Sequence, residues 1–88
     1  MKLFWTEKAW EDYRYWRSHD PDILKKINAL IEDIERNPFR GLGKPEALKF
    51  ALSDWWSRRI TQEHRLVYRV SGKRGERVLE IAQCRYHY

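Results

Sequence analysis

The sequence predicts an α+β fold in which two helices pack on one face of a mostly antiparallel sheet of four to five strands. Two observations lead there. Helical periodicity with helix-start residues fills most of the first half. The second half carries alternating, strand-like segments separated by glycine-containing turns. Eighty-eight residues suffice for a single domain, 1–88. The expected order is β-α-α-β-β-β, with an extra short strand near Leu48.

Lys2-Leu3-Phe4-Trp5 reads as a short strand of aliphatic and aromatic residues. Thr6 is the expected N-cap of the first helix, with Glu7 in the first turn, where a carboxylate favours the helix dipole. Trp10, Tyr13 and Trp16 or Arg17 recur at helical spacing and place one face of that helix against the core. Ser18 and His19 close it. Asp20-Pro21 opens a second helix, a cap residue followed by a proline in the first turn. Ile23, Ile27, Leu30, Ile31 and Ile34 form its apolar stripe, and Asn37-Pro38 ends it. Phe39 to Pro45 reads as a loop holding two glycines, a proline and two cations. Trp55–Ile60 and His64–Val70 are hairpin strands, and Ser71–Gly75 is a basic turn. Arg77–Gln83 is the last strand, with Leu79 and Ile81 on one face and Val78, Glu80 and Ala82 on the other.

Five Trp, five Tyr and three Phe supply the bulk that a chain this short needs for a core. The single cysteine, Cys84, cannot form an intrachain disulfide, which favours a reducing compartment. No apolar run approaches the roughly 20 residues of a membrane span. A soluble, cytoplasmic protein with no membrane partner is expected. The net charge of +5 is unevenly spread: residues 1–39 hold seven Lys/Arg against eight Asp/Glu, residues 40–88 eleven against five. That field suits nucleic acid or an acidic protein partner, or a surface kept basic for solubility.

The densest chemistry lies between Trp55 and Tyr68, WWSRRITQEHRLVY. If Thr61-Gln62-Glu63 form a three-residue loop, Arg59 and Arg65 stand directly opposed on one face. Their repulsion is relieved either by a phosphate between them or by Glu63 or another acid. A two-residue loop would change the pairing. Lys44, Lys49, Arg58 and Arg59 are the candidate RNA-binding cations. Glu46 lies between Lys44 and Lys49, which favour its ionised form; that suits a general base and equally an ordinary surface ion pair. His87, flanked by Tyr86 and Tyr88, has the chemistry of an acid near neutral pH but sits where chains often fray. His19 reads as a surface or capping residue. The three histidines and Cys84 lack zinc-ligand spacing, and GLGK lacks the length and the Ser/Thr of a phosphate loop, so no metal or cofactor is expected. RNA cleavage without a metal needs a base for the 2′-hydroxyl, an acid for the leaving 5′-oxygen and fixed cations for the phosphate.

Taken together, GKPEALK, WSRRITQEHRLVYRV and the terminal CRYHY resemble the YoeB branch (Txe/YoeB) of the RelE-like bacterial toxins. The resemblance extends to KLFWTEKAWEDYRYW, KKINALIEDI and NPFRGLGKPE, nearly the whole chain. It implies a fold like that of small microbial ribonucleases and a toxin that cleaves mRNA in the ribosomal A site. It further implies a YefM-like antitoxin, a homodimer, and operator DNA bound only through the antitoxin complex. By the same resemblance Glu46 is the general base and His87 the general acid. Arg65 stabilises the phosphate, Arg59 and Lys49 hold RNA, and Tyr88 completes the site. Ala47, Phe50, Asp54 and the long basic turn Ser71–Arg77 depart from the usual pattern. The rival readings are a basic protein that blocks translation by occupancy alone and a module that binds an acidic partner.

Overall fold

The computed structural model describes residues 1–87. Eight elements follow in order: β1 (Lys2–Trp5), α1 (Glu7–His19), α2 (Pro21–Arg36), β2 (Glu46–Ala47), a 3-10 turn at Phe50–Leu52, then β3 (Trp56–Arg59), β4 (Arg65–Ser71) and β5 (Val78–Gln83). The short strand expected near Leu48 is β2.

Both helices start where the side chains can cap them. The Thr6 hydroxyl accepts a hydrogen bond from the Ala9 amide and donates one to the Ala82 carbonyl, so it joins the helix start to β5. Asp20 accepts from the amides of Asp22 and Ile23 and begins α2 one residue after α1 ends. Ile27, Leu30, Ile31 and Ile34 are buried, and Ile23 packs at the margin. On α1 the expected face is only partly right. Trp16 is buried, but Trp10 stays 42 % exposed and stacks on Tyr13.

The sheet order is β1-β5-β4-β3-β2, with β1 parallel to β5 and every other pair antiparallel. Strand alternation then sorts side chains between two faces. Leu66, Tyr68, Leu79 and Ile81 are fully buried against the helices in one cluster with Ala9, Trp16 and the α2 stripe. Val67 and Leu48 are buried as well but lie outside that cluster, on the face away from the helices. A register shift at Val67/Tyr68 lets Val67 pair with Gln83 while Tyr68 pairs with Ile81. No helix is long and apolar enough to cross a membrane among the described residues.

Candidate functional site

Pairing across the sheet assembles the site. Glu46 pairs with Ser57, Ser57 with Val67, and Val67 with Gln83, which makes one row across four strands on the helix-free face. Arg59 and Arg65 form the adjacent row, about 7 Å along the strands. The three-residue loop is present: the Ile60 and Thr61 amides both donate to the His64 carbonyl, and the Thr61 hydroxyl accepts from the Glu63 and His64 amides.

The opposed arginines are not neutralised by Glu63 or, among the described residues, by any other acid. Arg65 instead turns Nη1 onto its own loop, donating to the carbonyls of Thr61, Gln62 and His64 at 2.8, 3.1 and 3.2 Å. Three partial negative charges thus steady the guanidinium, and its Nε and Nη2 meet no acceptor among the described residues. Arg59 is exposed on the same face. Glu46, Lys44 and Lys49 are exposed too. Glu46 and Lys49 line an open hollow of about 380 Å³ with Ala47, Leu48, Phe50 and Leu52. Phe50 is 92 % exposed and adopts a left-handed backbone, φ 58°. Neither property has a signal in the sequence.

Arg58 is a correction. It was expected among the RNA-binding cations, yet it is completely buried on the helix side of β3. Its guanidinium pairs with Asp33 of α2 at 2.5 Å and donates to the carbonyls of Asn37, Arg40 and Leu42 at 2.6, 2.9 and 3.1 Å. Nε donates to the Tyr68 hydroxyl, which itself donates to the Pro38 carbonyl. With its donors consumed and no water-exposed surface, Arg58 has nothing to offer a phosphate. It serves as the post around which residues 37–42 wrap before the chain enters β2. Gly41, at φ 117°, lets the loop lie on the Asp33 carboxylate where a Cβ would collide with it. The Arg58 guanidinium, together with the Leu42 amide, holds the Asp33 carboxyl below its ordinary pKa of 3.8.

The terminal segment is docked residue by residue. Cys84 is buried; its carbonyl accepts from Trp16 Nε1 at 2.8 Å, and its amide donates to Asp12 at 3.1 Å. Burial pushes the Cys84 thiol up to about 12. Arg85 lies over the Tyr15 ring, 3.5 Å from its centroid, with Tyr86 4.5 Å away. The Arg65 amide donates to the Tyr86 carbonyl at 3.0 Å, which brings this segment alongside the start of β4. His87 follows and is exposed. Glu46, Arg59, Arg65 and His87 therefore belong to the neighbouring strands β2, β3 and β4 and to the tail docked beside β4. Tyr88 lies outside the described residues.

Sequence comparison points the same way. The family described as "YoeB-like toxin of bacterial type II toxin-antitoxin system" matches residues 5–88. The chain belongs to the YoeB toxin family. It is 59 % identical over 88 residues to the toxin YoeB of Escherichia coli strain K12, with full coverage of both. A YoeB/ParE toxin from Agrobacterium tumefaciens superposes with a TM-score of 0.96 at 55 % identity, each chain covered completely. Two Staphylococcus aureus structures, a YoeB dimer and a heterotetrameric YoeB–YefM complex, give TM-scores of 0.89 and 0.88. Both are 44 % identical and cover all of this chain and 98 % of theirs. Its role as a YoeB-family toxin follows from these matches, and the RelBE2 toxin–antitoxin complex of Mycobacterium tuberculosis shares the fold, with a TM-score of 0.67 at 23 % identity over 98 % of this chain and 96 % of that one.

Proposed function

We propose that this YoeB-family toxin is a ribosome-dependent endoribonuclease that cuts mRNA in the A site by general acid–base catalysis. The observation that carries the reading is the shared helix-free face of Glu46, Arg59 and Arg65, with the Tyr86–His87 segment hydrogen-bonded to β4 at Arg65. In this reading Glu46 accepts the proton of the 2′-hydroxyl as its oxygen attacks phosphorus. His87 donates a proton to the departing 5′-oxygen, and Tyr88 completes the site. Arg65 meets the charge developing on the phosphoryl oxygens through the nitrogens that the loop leaves unused, and Arg59 assists. Lys44 and Lys49 hold the RNA backbone beyond Glu46. The reaction is written without a metal or cofactor.

The partner of the free toxin in this reading is a YefM-like antitoxin, supported by the S. aureus complex. The basic second half suits an acidic segment that folds over it, and operator DNA is reached through the antitoxin. Self-association is supported by the S. aureus dimer and by exposed Leu3, Phe4 and Trp10 at the β1–α1 edge. Action on ribosomes places the protein in the cytoplasm.

A translation extract programmed with a defined mRNA tests the proposal, with cleavage sites mapped by primer extension. Wild type is expected to cut within A-site codons only when ribosomes are present. Glu46→Ala and His87→Gln are each expected to lower cleavage by at least about 100-fold, the scale of one general acid or base. Full activity in either variant removes that residue from the mechanism. A halt in translation with intact mRNA in both wild type and variants would mean that the toxin acts by occupancy.

A further inference from the structure

We infer that His64 is the positioning residue of the site: its ring holds the Tyr86 amide and so sets where the following residue, His87, stands beside Arg65. The inference rests on the proposed ribonuclease reading only for its effect on rate; the anchoring itself is independent of that reading.

His64 sits where the Thr61–Glu63 loop enters β4. Its main chain is already committed. The amide donates to the Thr61 hydroxyl, and the carbonyl accepts from the amides of Ile60 and Thr61 and from Arg65 Nη1. The ring is therefore aimed by a rigid support. It meets the Trp16 indole edge-on, centroids 4.7 Å apart, and the Tyr86 ring at 5.7 Å. Between these aromatics, Nδ1 accepts the Tyr86 amide at 2.7 Å. An amide can only donate, so Nδ1 presents its lone pair and the ring proton is on Nε2.

Tyr86 needs such a hold. Its φ of 65° is a left-handed conformation that L residues rarely adopt. It is secured from both sides, the amide by the His64 ring and the carbonyl by the Arg65 amide. These two bonds come from consecutive residues of β4 and its entry, so they fix the last turn of the segment in register with Arg65. Arg85 and Cys84 tie the preceding residues to α1, but neither constrains the backbone beyond Tyr86. The Nδ1 bond and the Arg65 amide bond thus fix Tyr86 immediately ahead of the proposed acid.

Three forms of the full chain separate acceptor from packing. His64→Phe keeps a ring between Trp16 and Tyr86 and removes the acceptor. His64→Asn restores an acceptor near the Nδ1 position. Amide hydrogen exchange at Tyr86 and mRNA cleavage on programmed ribosomes are measured for both and for wild type. In His64→Phe the Tyr86 amide is expected to exchange about 10-fold faster. Its kcat is expected to fall about 10–100-fold, the cost of a small misplacement of a catalytic group. KM stays within about 2-fold, because the cations that bind RNA are untouched. His64→Asn recovers most of both losses. Should His64→Phe not fold, His64→Gln, which carries its amide out to the Nε2 position, takes its place. Unchanged Tyr86 exchange in the acceptor-less variant overturns the inference, as does an Asn variant as impaired as Phe. Wild type that cuts no mRNA would defeat the ribonuclease reading, while the exchange comparison still decides whether His64 anchors Tyr86.

Discussion

Arg58 and Arg59 are neighbours in sequence with opposite fates, because successive strand residues point to opposite faces. Arg59 is exposed beside Arg65, whereas Arg58 is enclosed with Asp33 and three carbonyls. Asp33→Ala leaves a buried guanidinium without its carboxylate. It is expected to destabilise the fold, read as a lower urea midpoint at unchanged slope. The pH dependence has a definite sign. Asp33 is held below its ordinary pKa in the fold, so its contribution is complete above the unfolded value and disappears as pH falls through the lowered folded value. Acid titration of wild type against Asp33→Asn should show that stability difference shrinking at low pH. Cys84 behaves in the opposite sense. Its thiol rises from 9.0 to about 12 in the fold, so stability is retained below pH 9 and falls between pH 9 and 12 as the unfolded chain alone loses the proton. The same burial predicts that a thiol-reactive probe labels Cys84 only after denaturant is added.

The first helix is held at its start by one hydroxyl. Thr6 caps α1 through the Ala9 amide and also donates to the Ala82 carbonyl of β5. Thr6→Ala removes both bonds and should cost about 1–2 kcal/mol, whereas Thr6→Ser should recover most of it. Thermal unfolding of the two variants checks this. Helix starts, the apolar stripe of α2 and the strand segments were legible because each depends on residues a few positions apart. The hairpin was legible too, but a two- or a three-residue loop stayed open, and only the strand register settles the opposition of Arg59 and Arg65. The relief of that opposition was not legible: Arg65 Nη1 is held by its own loop carbonyls, and main-chain acceptors leave no mark in composition. Trp10 was also misplaced, since helical spacing states which residues share a face but not how far the sheet extends beneath it.

The excess cations of the second half do not all belong to one binding surface. Arg58 is internal, Arg69 pairs with Glu80 at 2.7 Å beneath Trp55, and Arg85 lies between tyrosines. The exposed set is smaller and includes Lys44, Lys49 and Arg59. On the proposed ribonuclease reading, binding to ribosome-bound mRNA should therefore lose about 0.7 of its log–log salt slope with Arg59→Ala, the value for one single-strand phosphate contact. Arg58→Leu should instead act through loss of folded protein; titrations at several salt concentrations distinguish the two. The sequence by itself determined the elements, their order, the resemblance to YoeB toxins and the residues whose chemistry suits RNA cleavage, because these are matters of local pattern and residue type. Only the tertiary structure decided which arginine faces outward and that loop 37–42 wraps Arg58. It alone showed that the terminal segment is fastened through the His64 ring and the Arg65 amide. Those outcomes depend on which distant groups meet across the sheet, and such meetings are set by register and packing.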